Sequence, residues 1–267
     1  MIALDSVADI LKAATREFIL PRYRSLRDDE ISTKTGPRDL VTQADIDMEN
    51  HLKEILPKLL KGSVVLGEEG VSSGEASLDL LKETACPLWV VDPVDGTYNF
   101  VHGRDVFGVM LALIVEGQTV AGWIYDVPAD EMTISERGAG AFLEGRKLKV
   151  SSMPDAQDYT GFMNPRFFLE QHQDHIHRIK AAFKNCRSLG CAAHEYLRIA
   201  KGEAQFSLYS HLKPWDHLAG ALMVQEAGGY VAKWDATPYQ SHEYDVGLIT
   251  APSQADWEKI HAVFFES

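Results

Sequence analysis

The sequence predicts one compact domain in two halves, with α+β structure over about residues 1–150 and α/β structure over about residues 151–267. Hydrophobic residues make up 45% of the 267 residues, which is enough for a sizeable core. Apolar runs between residues 107 and 150, separated by glycine and proline turn signals, predict a mainly antiparallel meander. Beyond residue 151 the helical and strand patterns alternate, which is typical of α/β structure.

The first half opens with an amphipathic helix. Apolar residues recur at helical spacing from Leu4, and Pro21 interrupts that pattern. Residues 28–38 are polar and predict an exposed loop, and a second helix is expected over 43–60. Two short apolar strands, 63–66 and 88–91, each end directly in carboxylates.

The second half is expected to contain three more strands and four helices. The patterns place strands at 204–208, 230–233 and 246–250, and helices near 167–183, 192–201, 217–227 and 252–265. Gly228 and Gly229 form a helix stop signal. The chain contains no internal repeat or linker-like segment, so all 267 residues are predicted to form a single catalytic domain.

Charge and cysteine content restrict the class of partner. With 26 basic and 39 acidic residues the net charge is −13, so nucleic acid is not expected as a partner. The three cysteines fit no zinc motif and are expected to be reduced thiols. No signal-peptide pattern or apolar stretch of membrane-spanning length is found, which predicts a cytoplasmic protein without a membrane partner.

The most informative segment covers residues 89–100. A buried strand runs into Asp92, Pro93 is expected to end the strand in a turn, and Asp95 follows. The backbone N–H groups of Gly96 and Thr97 could then face an anion near both carboxylates. This pattern suits a metal ion beside a phosphate, although an ordinary Asp-rich turn with a helix cap is the alternative.

Three further acidic segments lie at element ends. Glu68 closes a strand, Asp45 leads into the second helix, and Asp216 is expected to be the N-cap of the helix over 217–227. Each of these carboxylates, taken alone, is most simply a cap or a solvated side chain. The four segments together are far more specific than any one of them.

In their order along the chain and in their residues, these segments resemble the signature of the inositol monophosphatase family. The hallmarks are the Gly-Glu-Glu turn at 67–69, the Asp-Pro-Val-Asp-Gly-Thr segment at 92–97 and the Trp-Asp pair at 215–216. The resemblance implies a layered αβαβα sandwich, the sugar phosphatase fold, which is usually a homodimer. It also implies lithium-sensitive, Mg²⁺-dependent hydrolysis of a small phosphate monoester by metal-activated water.

The same resemblance implies a ligand set for two to three Mg²⁺ ions. Glu68, Asp92 and the carbonyl of Val94 would bind one ion, while Asp92, Asp95 and Asp216 would bind a second. A third, weaker ion would use Glu68 and water. All of these ligands are oxygen atoms, as a hard cation requires.

The resemblance also assigns catalytic roles. Thr97, aided by Asp45, would orient or deprotonate the attacking water, which Glu68 would hold through its metal. The N–H groups of Gly96 and Thr97 would bind the phosphate. Lys34 matches a family lysine near the third ion, and a solvated loop lysine is an equal alternative.

Substrate choice is expected to depend on the leaving-group side of the pocket, where Gly190 and Ala192 match small residues that line it. Tyr209 stands where inositol-cleaving relatives often have a glutamate that contacts ring hydroxyls. The substrate is therefore open between inositol monophosphate, a related cyclitol or sugar phosphate and, as alternatives, histidinol phosphate or adenosine 3′,5′-bisphosphate. The sequence shows no basic cluster for a second phosphate. His194 and Glu195 are expected on a helix surface, with contact of either residue with the substrate as the alternative.

A non-catalytic interaction protein on the same fold is the remaining hypothesis. It predicts that catalytic positions have been lost, yet none of Glu68, Asp92, Asp95, Thr97 or Asp216 is missing. We therefore rank it last.

Overall fold

In a computed structural model, which describes residues 2–164, 179, 181–244 and 247–265, two sheets alternate with three layers of helices. The layered αβαβα architecture expected from the sequence is confirmed. The first 42 residues supply helix α1 (Leu4–Ala14), a π-helical turn (Thr15–Ile19) and a short hairpin of β1 (Ile31–Thr33) and β2 (Leu40–Thr42).

The larger sheet contains seven strands among the described residues, arranged in chain order. They are β3 (Val64–Gly67), β4 (Leu88–Asp95), β5 (Gly108–Val115), β6 (Gln118–Asp126), β7 (Glu131–Glu136), β8 (Gly140–Leu143) and β9 (Arg146–Lys147). Strands β3 and β4 are parallel, and all later neighbours are antiparallel. The predicted meander is confirmed.

Side-chain alternation along β4 divides two cores. Val90 faces a core shared with the central helices, while Trp89 and Val91 face a core shared with α1 and α2 (Gln43–Leu59). Successive strand residues point to opposite faces, so a strand buried on both faces is apolar throughout. This explains why the segment reads as a continuous hydrophobic run.

Two short helices, α3 (Glu68–Ser72) and α4 (Thr97–Val101), follow β3 and β4. The central helical layer consists of α5 (Ala192–Ala200) and α6 (Pro214–Glu226). Helix α6 packs across β4, β5, β6 and β7, and α5 contacts β5, β6 and β12 (Phe206–Tyr209). Nearly all residues of α6 are buried, because the helix lies between two sheets. The helix ends at Glu226, and Gly228 has a φ of 88°, as its stop signal predicts.

The second sheet has the strand order β11-β10-β12-β14-β13 among the described residues. Its other strands are β10 (Thr160–Met163), β11 (Asn185–Arg187), β13 (Tyr230–Lys233) and β14 (Leu248–Ala251). Helix α7 (Gln254–Phe265) covers its outer face through Trp257, Ile260 and Phe264. The helix expected near 167–183 lies for the most part outside the described residues.

Two expectations about local structure are wrong. Strand β4 does not stop before Pro93 but continues to Asp95 through a β-bulge, in which Asp92 pairs with Met110 and Asp95 with Gly108. Between these two pairs, Pro93 and Val94 on β4 oppose the single residue Val109 on β5, so Pro93 needs no ladder hydrogen bond. Asp216 is also not the N-cap of α6, as had been expected. Lys213 is the N-cap and Pro214 is the first helical residue, so Asp216 lies inside the first turn.

Within the described residues, no helix combines the length and the apolar character that a membrane span requires.

Candidate active site

Three carboxylates from separate parts of the chain meet at the ends of β3 and β4. These strands are parallel, and Gly67 pairs with Val91. Glu68, which follows Gly67, and Asp92, which follows Val91, are therefore neighbours. Asp216 reaches the same point from the first turn of α6. Carboxylate oxygens of Glu68, Asp92 and Asp216 all lie within 4.8 Å of one another.

These carboxylates are poorly solvated and repel one another. Burial, followed by the charges of Glu68 and other nearby carboxylates, raises the pKa of Asp92 well above its ordinary value. Burial and Glu68 act in the same direction on Asp216. A cluster of one buried and two partly buried carboxylates, all offering oxygen ligands, is an arrangement that a hard divalent cation stabilises, so the donor set fits Mg²⁺.

Asp95 lies at the same cavity but outside this group of three. Its Oδ2 accepts hydrogen bonds from the N–H of Ala193 (2.6 Å) and from Sγ of Cys191 (3.0 Å). The carboxylate therefore joins the end of β4 to the first turn of α5. Val94 and Asp95 both line a cavity of about 410 Å³ that also contains Glu68, Asp92 and Asp216.

Thr97 and Asp45 are close, as expected from the sequence. Oγ1 of Thr97 donates to the carbonyl of Val94 (2.9 Å) and lies 3.5 Å from Oδ1 of Asp45. Asp45 is the third residue of α2 and accepts from both the N–H and the hydroxyl of Thr42, which forms a capping box. Burial raises the pKa of Asp45 to about 7, although the Thr42 hydrogen bonds oppose this shift.

Gly96 is required by the geometry between the β4 bulge and helix α4 (Thr97–Val101). Its φ is 87°, and an added Cβ would lie 3.0 Å from the carbonyl oxygen of Val106 and 3.1 Å from Cβ of Cys191. The first N–H groups of α4 have no acceptor within the helix and start next to Asp95. The segment thus presents backbone donors close to the carboxylates.

Two lysines face Glu68. Nζ of Lys34 lies 3.0 Å from Oε1 of Glu68 and 2.8 Å from Oε1 of Glu69, and the lysine side chain is only 9% exposed. The alternative of a solvated loop lysine is therefore wrong. Nζ of Lys213 lies 3.5 Å from Oε1 of Glu68. Burial lowers the pKa of Lys213, but Glu68 and Asp216 more than offset it, so the net shift is upward.

Glu49 supports the turn that carries Glu68, and the sequence analysis did not identify it as a site residue. Its fully buried carboxylate accepts hydrogen bonds from the N–H groups of Glu69 and Gly70, both at 2.8 Å, and pairs with Lys53 at 2.9 Å. A side chain at Gly67 would overlap that carboxylate. The sequence feature that could have revealed Glu49 is its position on the buried face of α2, between Asp45 and Leu52.

The cavity lining contains a further buried carboxylate, that of Glu195. Glu195 is 3% exposed and accepts hydrogen bonds from Leu189 N–H (2.8 Å), the Ser188 hydroxyl (3.1 Å) and the Tyr209 phenol (2.9 Å). Gly190 and Ala192 line the same cavity. Burial raises the pKa of Glu195 to about 7.

The expectation that His194 and Glu195 lie on a helix surface is wrong. His194 is 8% exposed and its Nε2 lies 3.1 Å from the carbonyl of Phe107. Both faces of α5 are covered because the helix lies between the two sheets, which a single-sequence pattern does not reveal. His217 is also structural, since its ring nitrogens contact the Tyr196 hydroxyl and the carbonyl of His211.

Comparison with known proteins identifies the family of this chain. Residues 3–265 match the model of the inositol monophosphatase family. An inositol-1-monophosphatase of Mesorhizobium japonicum is 36% identical over 211 residues, covering 77% of this chain and 76% of the relative. A fructose-1,6-bisphosphatase/inositol-1-monophosphatase of Thermotoga maritima is 30% identical over 205 residues, covering 77% and 75%.

Solved structures share the fold. An IMPase of Thermotoga maritima superposes with a TM-score of 0.81 at 24% identity, covering 98% of this chain and 97% of that one. An IMPase/NADP phosphatase, solved with Mg²⁺ and phosphate, gives a TM-score of 0.84 at 21% identity, covering 99% and 97%. At these identities the superpositions establish the fold alone.

The fold, the site and the sequence relatives together define a phosphatase that hydrolyses phosphate monoesters. The chain belongs to the inositol monophosphatase family.

Proposed function

We propose that this protein hydrolyses inositol 1-phosphate or a related small cyclitol or sugar phosphate in a Mg²⁺-dependent reaction. The observation that carries the proposal is the convergence of Glu68, Asp92 and Asp216 within 4.8 Å in a cavity that a small ester can enter. The inositol-1-monophosphatases among its relatives support the substrate class.

Two to three Mg²⁺ ions would use the carboxylates of Glu68, Asp92, Asp95 and Asp216 with the carbonyl of Val94. When bound, Mg²⁺ neutralises charge on the phosphate and lowers the pKa of a coordinated water. A net acidic protein with clustered carboxylates would otherwise repel an anionic ester. Lys34 and Lys213 reduce that repulsion around Glu68.

The chain's own groups would position the reactants. Oγ1 of Thr97 and the carboxylate of Asp45 orient the attacking water, and Asp45 is the group that can accept its proton. The N–H groups of Gly96 and Thr97 bind phosphate oxygens. The water oxygen bonds to phosphorus, the ester P–O bond breaks, and the released alkoxide takes up a proton.

Tyr209 and Glu195 would form the polar wall for the leaving group, with Gly190 and Ala192 leaving room beside it. The phenol can contact a substrate hydroxyl while it remains hydrogen-bonded to Glu195. Inositol-cleaving relatives often have a glutamate where this chain has Tyr209. In this chain the carboxylate of Glu195, bound to Tyr209, would supply the carboxylate of this wall.

We further infer that the two halves work as one catalytic domain, because Asp216 of the second half completes the cluster begun by Glu68 and Asp92 of the first. A homodimer and sensitivity to Li⁺ are part of the proposal. Millimolar Li⁺ is expected to inhibit phosphate release, and unchanged activity would count against that part.

Phosphate release from a panel of esters tests the proposal. The panel contains inositol 1-phosphate, glycerol 2-phosphate, histidinol phosphate and adenosine 3′,5′-bisphosphate, each assayed with Mg²⁺ and with EDTA. The proposal predicts Mg²⁺-dependent release that is fastest for inositol 1-phosphate or glycerol 2-phosphate. Faster release from histidinol phosphate or the nucleotide would contradict the substrate assignment.

A further inference from the structure

Asn99 connects the two halves of the domain next to the active-site cavity. It lies in the middle of α4 and is only 4% exposed. Its Nδ2 lies 2.9 Å from the carbonyl oxygen of Val106, 3.0 Å from that of Leu189 and 3.2 Å from that of Gly190. Carbonyls from two separate parts of the chain thus share the N–H donors of one side-chain amide. This amide of the first half holds the segment that precedes α5 in the second half.

Glu195 holds the same segment, residues 188–190, from its N–H side. Oε1 of Glu195 accepts hydrogen bonds from the Leu189 N–H (2.8 Å) and the Ser188 hydroxyl (3.1 Å). The N–H of Gly190 donates to Oγ of Ser188 (3.0 Å). Ser188 and Gly190 line the cavity that contains the three clustered carboxylates. Two buried side chains, Asn99 from the first half and Glu195 from the second, therefore fix one part of the cavity lining.

Helix α4 is also the element whose first N–H groups are proposed to bind phosphate. Asn99 follows Thr97 by two residues, so the bonds of its side chain set the distance between this end of α4 and the 188–190 segment. An ester that contacts both ends depends on this distance, since a misplacement of about 1 Å can cost about 100-fold in rate. Without the amide, the carbonyls of Leu189 and Gly190 would lose a buried donor, which favours a shift of the segment toward water.

We propose that Asn99 is a positioning residue that fixes the 188–190 segment relative to α4 and thereby selects esters with a large, polyhydroxylated leaving group. This role rests on the proposed function, in which Gly190 lies on the leaving-group side. Asn99 acts through the carbonyls that it binds, and it neither transfers a proton nor contacts phosphorus. An ester with a small leaving group occupies the phosphate end alone and does not depend on the segment.

Two esters test the proposal, because the leaving group of inositol 1-phosphate reaches the segment and that of methyl phosphate does not. In Asn99→Ala, KM for inositol 1-phosphate should rise about tenfold, as the loss of two buried hydrogen bonds implies, while kcat changes less than about threefold. Both constants for methyl phosphate should change less than about threefold. A purely structural role would instead lower kcat equally for both esters, through the fraction of folded enzyme. Asn99→Ser, which keeps a hydroxyl donor and removes less volume, gives the same comparison if Asn99→Ala does not fold.

Gln205→Ala is the matched control. Gln205 is 2% exposed, and Oε1 of its side-chain amide accepts a hydrogen bond from the N–H of Thr160 at 2.9 Å, but the residue does not line the cavity. This variant should leave the ratio of the two kcat/KM values unchanged. Equal losses for both esters in Asn99→Ala, or the same loss of selectivity in Gln205→Ala, would overturn the proposal.

Hydrogen exchange separates this inference from the proposed function. In Asn99→Ala the backbone amides of Leu189 and Gly190 should exchange about tenfold faster than in the wild type, and in Gln205→Ala they should not. If the wild type hydrolyses neither ester, the proposed function fails, while the exchange rates still report on the segment. Unchanged exchange in Asn99→Ala would overturn the positioning role whether or not any ester is hydrolysed.

Discussion

The phenol of Tyr209 donates a 2.9 Å hydrogen bond to the buried carboxylate of Glu195 across the wall of the active-site cavity. Tyr209 ends strand β12 and Glu195 lies in the first turns of α5, so the pair joins the second sheet to the central helical layer. Both residues line the cavity that also contains Glu68, Asp92 and Asp216. Under the proposed function, the pair would link substrate choice to the packing of the fold.

Tyr209→Phe tests the role of the phenol. Because a lost hydrogen bond is worth about 0.5–1.5 kcal/mol, kcat/KM for inositol 1-phosphate should fall about 2- to 10-fold. Phenyl phosphate, whose leaving group has no hydroxyl, should be unaffected, and Tyr230→Phe on the second sheet serves as the matched control. Equal losses for both esters would show that Tyr209 does not contact the leaving group.

Glu195 should make stability depend on pH. Burial raises its pKa from 4.5 to about 7, so between these values the folded state binds more protons than the unfolded state. The contribution of Glu195 to the free energy of unfolding is complete below the pKa that the group has in the unfolded state. It is lost as the pH rises through the pKa of the folded state. Relative to Glu195→Gln, the wild type should lose about 1–3 kcal/mol of unfolding free energy between pH 5 and pH 8.

Urea denaturation at several pH values measures this difference. Glu203→Gln, at an exposed position after the same helix, should give a difference from the wild type that does not change with pH. A pH-independent difference for Glu195→Gln as well would show that Glu195 is not the group responsible.

Glu49→Gln should weaken metal binding without touching a ligand. The Glu49 carboxylate holds the N–H groups of Glu69 and Gly70 and so fixes the turn that carries Glu68. Loss of such a supporting group typically reduces metal affinity about 10- to 100-fold. Activity as a function of Mg²⁺ concentration measures the effect, and Glu54→Gln, exposed on the same helix, should leave the half-saturating concentration unchanged.

Gly96→Ala should reduce kcat about 10- to 100-fold, because a displacement of the turn by a fraction of an ångström misplaces the N–H groups that are proposed to bind phosphate. The added Cβ is crowded by Val106 and Cys191 at a φ of 87°. Gly62→Ala is the matched control, since Gly62 has a φ of 88° and no atom within 4 Å of the added Cβ. Similar losses of activity in both variants would mean that backbone strain alone is responsible.

Much of the fold was predictable because its determinants are local. The cap at Asp45, the helix stop at Gly228 and the apolar run of β4 are all contained in short segments. The bulge at Pro93 was not predictable, because it depends on how β5 pairs with β4. Asp216 was assigned to the N-cap because Pro214 was not recognised as the first helical residue.

The site was predicted unevenly for a similar reason. Glu68, Asp92 and Asp216 follow apolar strands or start a buried helix, and their motifs mark them. Glu195 gave no such signal, because its burial depends on partners supplied by Ser188 and Tyr209. Residues joined only by tertiary packing are not visible in a single sequence.

The most direct test of the central claim is phosphate release from inositol 1-phosphate by metal-free protein to which Mg²⁺ is added back, in wild type and Asp92→Asn. The wild type should be inactive in EDTA and recover with Mg²⁺. Asp92→Asn should lose at least about 100-fold in kcat at every Mg²⁺ concentration, because it removes the central carboxylate of the cluster. Wild-type release that continues in EDTA, or an Asp92→Asn variant with unchanged kcat, would contradict the assignment of Glu68, Asp92 and Asp216 as the catalytic metal site.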